Sequence, residues 1–203
     1  MTSRVKYSIG LICLGAIIAL LPLSANRSFV VKPEKLHSAI VNMNSNYTVD
    51  QVARFIITED STVQFIDVRP AEEYRISSIP GSANIPYDQF VEAAPPIILN
   101  NKNVKYILYS NGDLYSNYAY TLAQGLNCRN TYVMKGGLNE WYKTIMNSSF
   151  TGEKISAREN ALFETRNRAS KLYTDINSLS DSLKNKYMES KRLAAKKLDG
   201  GCD

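Results

Sequence analysis

The sequence predicts an α/β fold: a three-layer domain with a central parallel sheet, preceded by an N-terminal hydrophobic helix and followed by a long C-terminal α-helix. Three observations carry this expectation. Short runs rich in β-branched and aromatic residues, at 63–68, 104–109 and 131–134, alternate with stretches of helical period. That alternation implies parallel strands with helices on both faces. The flanks differ from the middle, with an apolar run at 9–23 and a stretch from Glu153 to Leu198 that holds neither Pro nor Gly.

Arg4 and Lys6 precede the apolar run, and Pro22 and Ser24 close it, the layout of a signal anchor or signal peptide over residues 1–25. The run is roughly 15 residues, short of the ~20 that span a bilayer, though Tyr7, Ser24 and Ala25 can lengthen it. Leu23 makes a poor cleavage site, so a single-pass anchor is favoured over a cleaved signal, with the basic end inside. The remainder is expected on the periplasmic side of an inner membrane, or in the periplasm if the signal is cleaved. Cys13 reads as a buried apolar residue of this run, and lipid modification is the minor reading. Residues 26–46 lack sustained periodicity and read as a linker containing a solvated His37.

The domain is expected over 47–148. Thr48 and Gln51 have capping-box spacing, Tyr47 can staple onto Val52, and Val52, Phe55 and Ile56 form the buried stripe of a first helix. Residues 63–68 follow as a central strand. Residues 69–86 read as polar and turn-rich, and 87–92 as one or two helical turns stopped by Pro95 and Pro96. The strand at 104–109 ends in a polar loop, Ser110, Asn111, Gly112, Asp113, Leu114, Tyr115, Ser116, with Ser116 as the expected cap of the next helix. A strand that delivers a tight loop onto a helix N-terminus makes a cradle of backbone N–H groups, suited to an anion or a nucleophile. Ligands of such sheets sit at the carboxyl ends of strands, where Ser110 falls. After the strand at 131–134, Gly136 and Gly137 open a helix carrying Leu138, Trp141, Tyr142 and Ile145.

Charge and rare residues narrow the function classes. The net charge of +5 is mild and its cations gather toward the chain ends, so no nucleic-acid partner is expected. Cys13, Cys128 and Cys202 have neither metal-ligand nor disulfide-framework spacing, and no metal or cofactor is expected. The single His lies outside the domain, which argues against a His-based triad there. Cys128, between a helix and a strand, reads as a small buried residue.

Several motifs in order resemble a rhodanese-homology domain over residues 47–146. Phe65-Ile66-Asp67-Val68-Arg69 with Glu73-Tyr74 and Ile79-Pro80-Gly81-Ser82-Ala83-Asn84-Ile85-Pro86 is similar to the family's first signature, and Met134-Lys135-Gly136-Gly137-Leu138-Asn139-Glu140-Trp141 to its closing one. On the residues themselves, Asp67 and Arg69 can pair and brace the loop, while the glycines allow close helix approach. The resemblance implies a loop whose leading cysteine carries sulfane sulfur as a persulfide. Here Ser110 stands at that position, Tyr115 where an arginine is usual, Ser78 where a histidine often stands, and Asp113 adds negative charge. An alcohol is a far weaker acid than a thiol and carries no persulfide, and no adjacent base marks Ser110 as a hydrolytic nucleophile.

At the C-terminus, Ile155, Leu162, Ala169, Ile176 and Leu183 recur at sevenths, with Leu172 and Leu179 between them. The expectation is one long amphipathic helix over 153–199, lying on its own domain or pairing as a coiled coil in a homo-oligomer or on a protein partner. A Gly200-Gly201-Cys202 tail ends the chain. The functional expectation is a membrane-associated, exported rhodanese-like pseudoenzyme that binds or assembles rather than transfers sulfur. Its alternatives are a sulfur relay with Cys202 as the thiol and a coiled-coil scaffold.

Overall fold

The computed structural model describes residues 46–93, 99, 101–128, 130–149 and 156–199. The expected anchor, most of the linker, Cys13, His37 and the tail with Cys202 lie outside the described residues. Among those described, no helix is long and apolar enough to cross a membrane.

Five strands form one parallel sheet in the order β1-β5-β4-β2-β3, with β1 at Asn46–Tyr47, β2 at Val63–Asp67, β3 at Ala83–Asn84, β4 at Lys105–Tyr109 and β5 at Thr131–Met134. The central strand is β4, in register with β2 from Val63–Lys105 through Asp67–Tyr109. Alternate side chains divide the core into two layers. Phe65, Ile107, Tyr109 and Met134 meet Val52, Leu138, Trp141 and Tyr173 on one face, while Ile66, Leu108 and Val133 meet Phe90, Ala119 and Ala123 on the other. This two-sided burial is why the strands read as short apolar runs rather than alternating ones.

The first helix, α1 at Val49–Ile57, starts on the expected capping box, with Thr48 and Gln51 bonding reciprocally. Tyr47 packs edge-on against Phe55 and Tyr132. The segment read as turns contains α2 at Ala71–Ile76 and the edge strand β3, which pairs β2 at only two positions. None of the residues of α2 is buried, so no apolar period announced it. A 3₁₀ turn at Tyr87–Gln89 leads into α3 at Phe90–Ala93. On the far side of β4 come α4 at Asp113–Gly125, then β5, α5 at Gly137–Trp141 and a π-helical turn at Tyr142–Met146.

A long C-terminal helix is present as α6 at Ala157–Asn177, opened by a Ser156–Glu159 capping box. The helix expected to run on to 199 instead divides, and α7 spans Asp181–Asp199. Ser178 and Ser180 stand at the break. The Ser178 hydroxyl donates to the Asp175 carbonyl, the side-chain competition by which a serine ends a helix without Gly or Pro, and the Ser180 carbonyl accepts the Lys184 N–H as the first bond of α7. The sevenths do not make a seam either, since Leu162 and Leu183 are exposed while Ala169 and Ile176 are buried. Both helices lie on the domain. Arg166 grips Asp50 through two bonds of 2.6 and 2.7 Å, Lys191 pairs with Glu59, and the Gly81 N–H meets the Met188 sulfur at 3.2 Å. Lys184 is buried, its ammonium donating to the Arg75 carbonyl at the end of α2, and that burial draws its pKa below the ordinary lysine value.

Candidate functional site

Tyr109, the last residue of β4, is fully buried, and its hydroxyl accepts the Ile79 N–H at 3.0 Å while donating to Ser82 Oγ at 2.9 Å. Burial pushes this phenol well above its ordinary pKa, so it stays a neutral strut. The strand end it fixes delivers Ser110 to the base of a cleft. From the neighbouring element, the N–H groups of Leu138 and Asn139 donate to the carbonyls of Ser110 and Asn111, each at 2.9 Å. Gly137 makes this contact feasible. Its φ is +58°, and a Cβ there would strike the Ser110 carbonyl oxygen and come within 2.8 Å of Gly112 N. Gly136, at φ +77°, would carry a Cβ into the Glu140 side chain.

The opposite wall is held by the expected Asp67–Arg69 pair. Arg69 Nη2 lies 2.7 Å from Asp67 Oδ2, and Arg69 Nε lies 3.0 Å from Asp67 Oδ1. Burial opposes the guanidinium charge, but the hydrogen bond and charge of Asp67 overcome it and raise the Arg69 pKa above its ordinary value. Arg69 also donates to the Ser77 carbonyl at 2.6 Å and to Asn111 Oδ1 at 3.3 Å, while Asn111 Nδ2 reaches Glu73 Oε2 at 2.7 Å. Gly81, at φ +79°, closes the turn behind Ser77 in a backbone region closed to most side chains. Asp67, Arg69, Glu73, Gly136 and Gly137 sit around the loop, whereas Gly81 lies away from the cleft, its carbonyl accepting Gln64 Nε2 at 3.0 Å.

The loop is shorter than its sequence suggested. Gly112 takes the N-cap position and α4 begins at Asp113, so Leu114, Tyr115 and Ser116 belong to its first turn. Ser116 is therefore not the cap. Its buried hydroxyl points back to the carbonyls of Gly112 and Asp113, both at 3.1 Å. Asp113 Oδ1 accepts the Gly136 N–H at 2.6 Å, so this carboxylate ties the loop to the β5–α5 turn as well as charging the cleft.

The cleft has a volume of about 780 Å³. Its walls include Arg69, Glu73, Ser110, Asn111, Asp113, Leu114 and Tyr115, and also Pro70 and Pro86 of the stretch expected as turns and Tyr87 and Asp88 of the expected helical turns, to which the sequence assigned no site role. The pairing of β3 with β2 brings that second group round, and a two-residue strand leaves almost no periodic signal. Ser110 is 2% exposed, and its hydroxyl lies 3.3 Å from the Gly112 carbonyl. Among the described residues no three His, Cys, Asp or Glu converge on a metal position. Cys128 is buried in the other layer, where desolvation raises its thiol pKa, as suits a packing residue.

The match to known proteins follows this geometry. Residues 48–144 match the rhodanese-like domain family. They form a rhodanese-like domain. Over 111 residues the chain is 27% identical to the adenylyltransferase and sulfurtransferase UBA4 of Meyerozyma guilliermondii, covering 52% of this chain and 26% of that protein. The chain thus spans about a quarter of the length of that curated relative. Among solved structures, the human single-domain sulfurtransferase TSTD1 is 19% identical with a TM-score of 0.41, over 49% of this chain and 96% of that one. A rhodanese-related protein from Thermoplasma volcanium is 21% identical with a TM-score of 0.41, over 48% of this chain and 90% of that one. Within the rhodanese-like domain, Ser110 stands at the end of the central strand, at the head of the loop.

Proposed function

We propose that this rhodanese-like domain is a binding module held at the outer face of a membrane by residues 1–25, and that it does not transfer sulfur. The observation that carries the reading is a hydroxyl where the chemistry requires a thiolate. Sulfur uptake forms an S–S bond between a cysteine sulfur and the donor's sulfane sulfur, and Ser110 offers only oxygen. The cleft above it remains open and well supported, which favours retained binding. The basic residues preceding the apolar run support attachment to a membrane.

The test is thiocyanate formation from thiosulfate and cyanide by the full chain in detergent, beside Ser110→Cys and Cys202→Ser forms. The expected result is background for the parent and, for Ser110→Cys, turnover that is measurable but slowed by the carboxylates that face anionic thiosulfate and cyanide in the cleft. Turnover in the parent that vanishes with Cys202→Ser would overturn the reading and make the tail thiol the catalyst.

A further inference from the structure

The cleft carries a charge opposite to that of the chain. The whole protein has a formal charge of +5. Around the Ser110 cleft stand three carboxylates, Glu73, Asp88 and Asp113, against one cation, Arg69, which Asp67 meets at 2.7 Å and half-exposed Glu73 approaches at 3.6 Å. A negative cleft with low-dielectric walls concentrates cations and repels anions. The second observation is independent of charge. Tyr87, Tyr115 and Tyr118 form a cluster with ring centroids 5.5, 6.0 and 6.5 Å apart, and Tyr115 and Tyr118 are 52% and 48% exposed. Leu114, 58% exposed, adjoins them in sequence and also lines the cleft.

Aromatic faces beside carboxylates are the chemistry that receives guanidinium and ammonium groups. Tyrosine also contributes heavily to protein interfaces, because it offers a large, rigid, amphipathic surface. We propose that the cleft docks a basic segment of a partner polypeptide: an Arg or Lys side chain enters toward Glu73 and Asp88, and the flanking chain lies over Leu114, Tyr115 and Tyr118. This deepens the binding-module reading and rests on it. It also reverses the anion preference expected of the loop, since Asp113 heads α4 where an anion would approach.

The test is fluorescence anisotropy of the full chain in detergent, titrated against a labelled peptide alternating arginine and leucine and a matched peptide alternating glutamate and leucine. Saturable binding of the basic peptide is expected, with at least tenfold weaker binding of the acidic one. Asp88→Lys and Tyr118→Ala, both at exposed positions, should each weaken the basic peptide by about five- to tenfold without changing the thermal midpoint. Glu164→Gln, on the outer face of α6, should leave binding within about twofold and so reports on diffuse charge. Equal binding of both peptides, or loss with Glu164→Gln equal to that with Asp88→Lys, would overturn the proposal. Tighter binding of the acidic peptide would overturn it as well. Binding and sulfur transfer are read separately, so thiocyanate turnover by the parent would refute the module reading, and absent peptide binding would refute only this one.

Discussion

Two glycines at the loop differ in what they must do. Gly137 must accept a left-handed backbone and a near contact with the Ser110 carbonyl, so Gly137→Ala is expected to cost about 2–4 kcal/mol and to dislodge the loop. Gly112 is different. Its φ of −142° is open to any residue and a Cβ would meet only Asn139 Nδ2 at 3.8 Å, so Gly112→Ala should change stability by less than about 1 kcal/mol. Urea unfolding of the pair reads the contrast, and similar losses would contradict it. At Ser110 itself, the surrounding carboxylates predict that a thiol placed by Ser110→Cys reacts with neutral iodoacetamide in preference to anionic iodoacetate. The preference should exceed that of free cysteine by about tenfold, read at residue 110 by peptide mapping. Strand ends and Gly-Gly steps are local signals, so the position of Ser110 after β4, the Asp67–Arg69 pair and the glycine turn are legible in the sequence. Local reading also places Ser116 at the helix start because a serine before an apolar stretch is a common cap, while Gly112 and Asp113 read as loop.

At the scale of elements, α6 is a fastener for the region behind the site. Its last residue, Asn177, accepts the Ser78 N–H at 2.9 Å and donates to the Ser78 carbonyl at 3.0 Å, as a neighbouring strand would. Ser77, one residue earlier, receives Arg69, and Arg69 reaches Asn111. Asn177→Ala leaves both backbone groups of buried Ser78 without that partner, so a loss of about 2–6 kcal/mol is expected at ~1–3 kcal/mol per orphaned group. A thermal midpoint within error of the parent would contradict this. The heptad spacing leaves a helix on its own domain and a coiled coil both open, because a pattern of sevenths records only that one helical face is apolar, not which surface covers it. Here the domain covers it, through Ala169, Tyr173 and Ile176. Elements with long apolar periods were legible, while α2 and β3, short and half-wet, were decided by tertiary pairing that no local pattern encodes.

At the scale of the molecule, a parallel sheet presents the end of its central strand to a cleft, and the C-terminal helix pair secures the wall opposite the glycine turn. Residues 48–144 form a rhodanese-like domain, and the residue that heads the loop after its central strand, Ser110, is an alcohol. The most direct measurement is the first half of a sulfurtransferase cycle. The full chain is incubated with thiosulfate labelled in its outer sulfur, desalted without reductant, and counted. The account predicts no label retained on the protein, with or without Cys202→Ser. Label that stays with the parent chain and is released by cyanide would contradict it, and would mean that this protein carries sulfur through a thiol other than one at position 110.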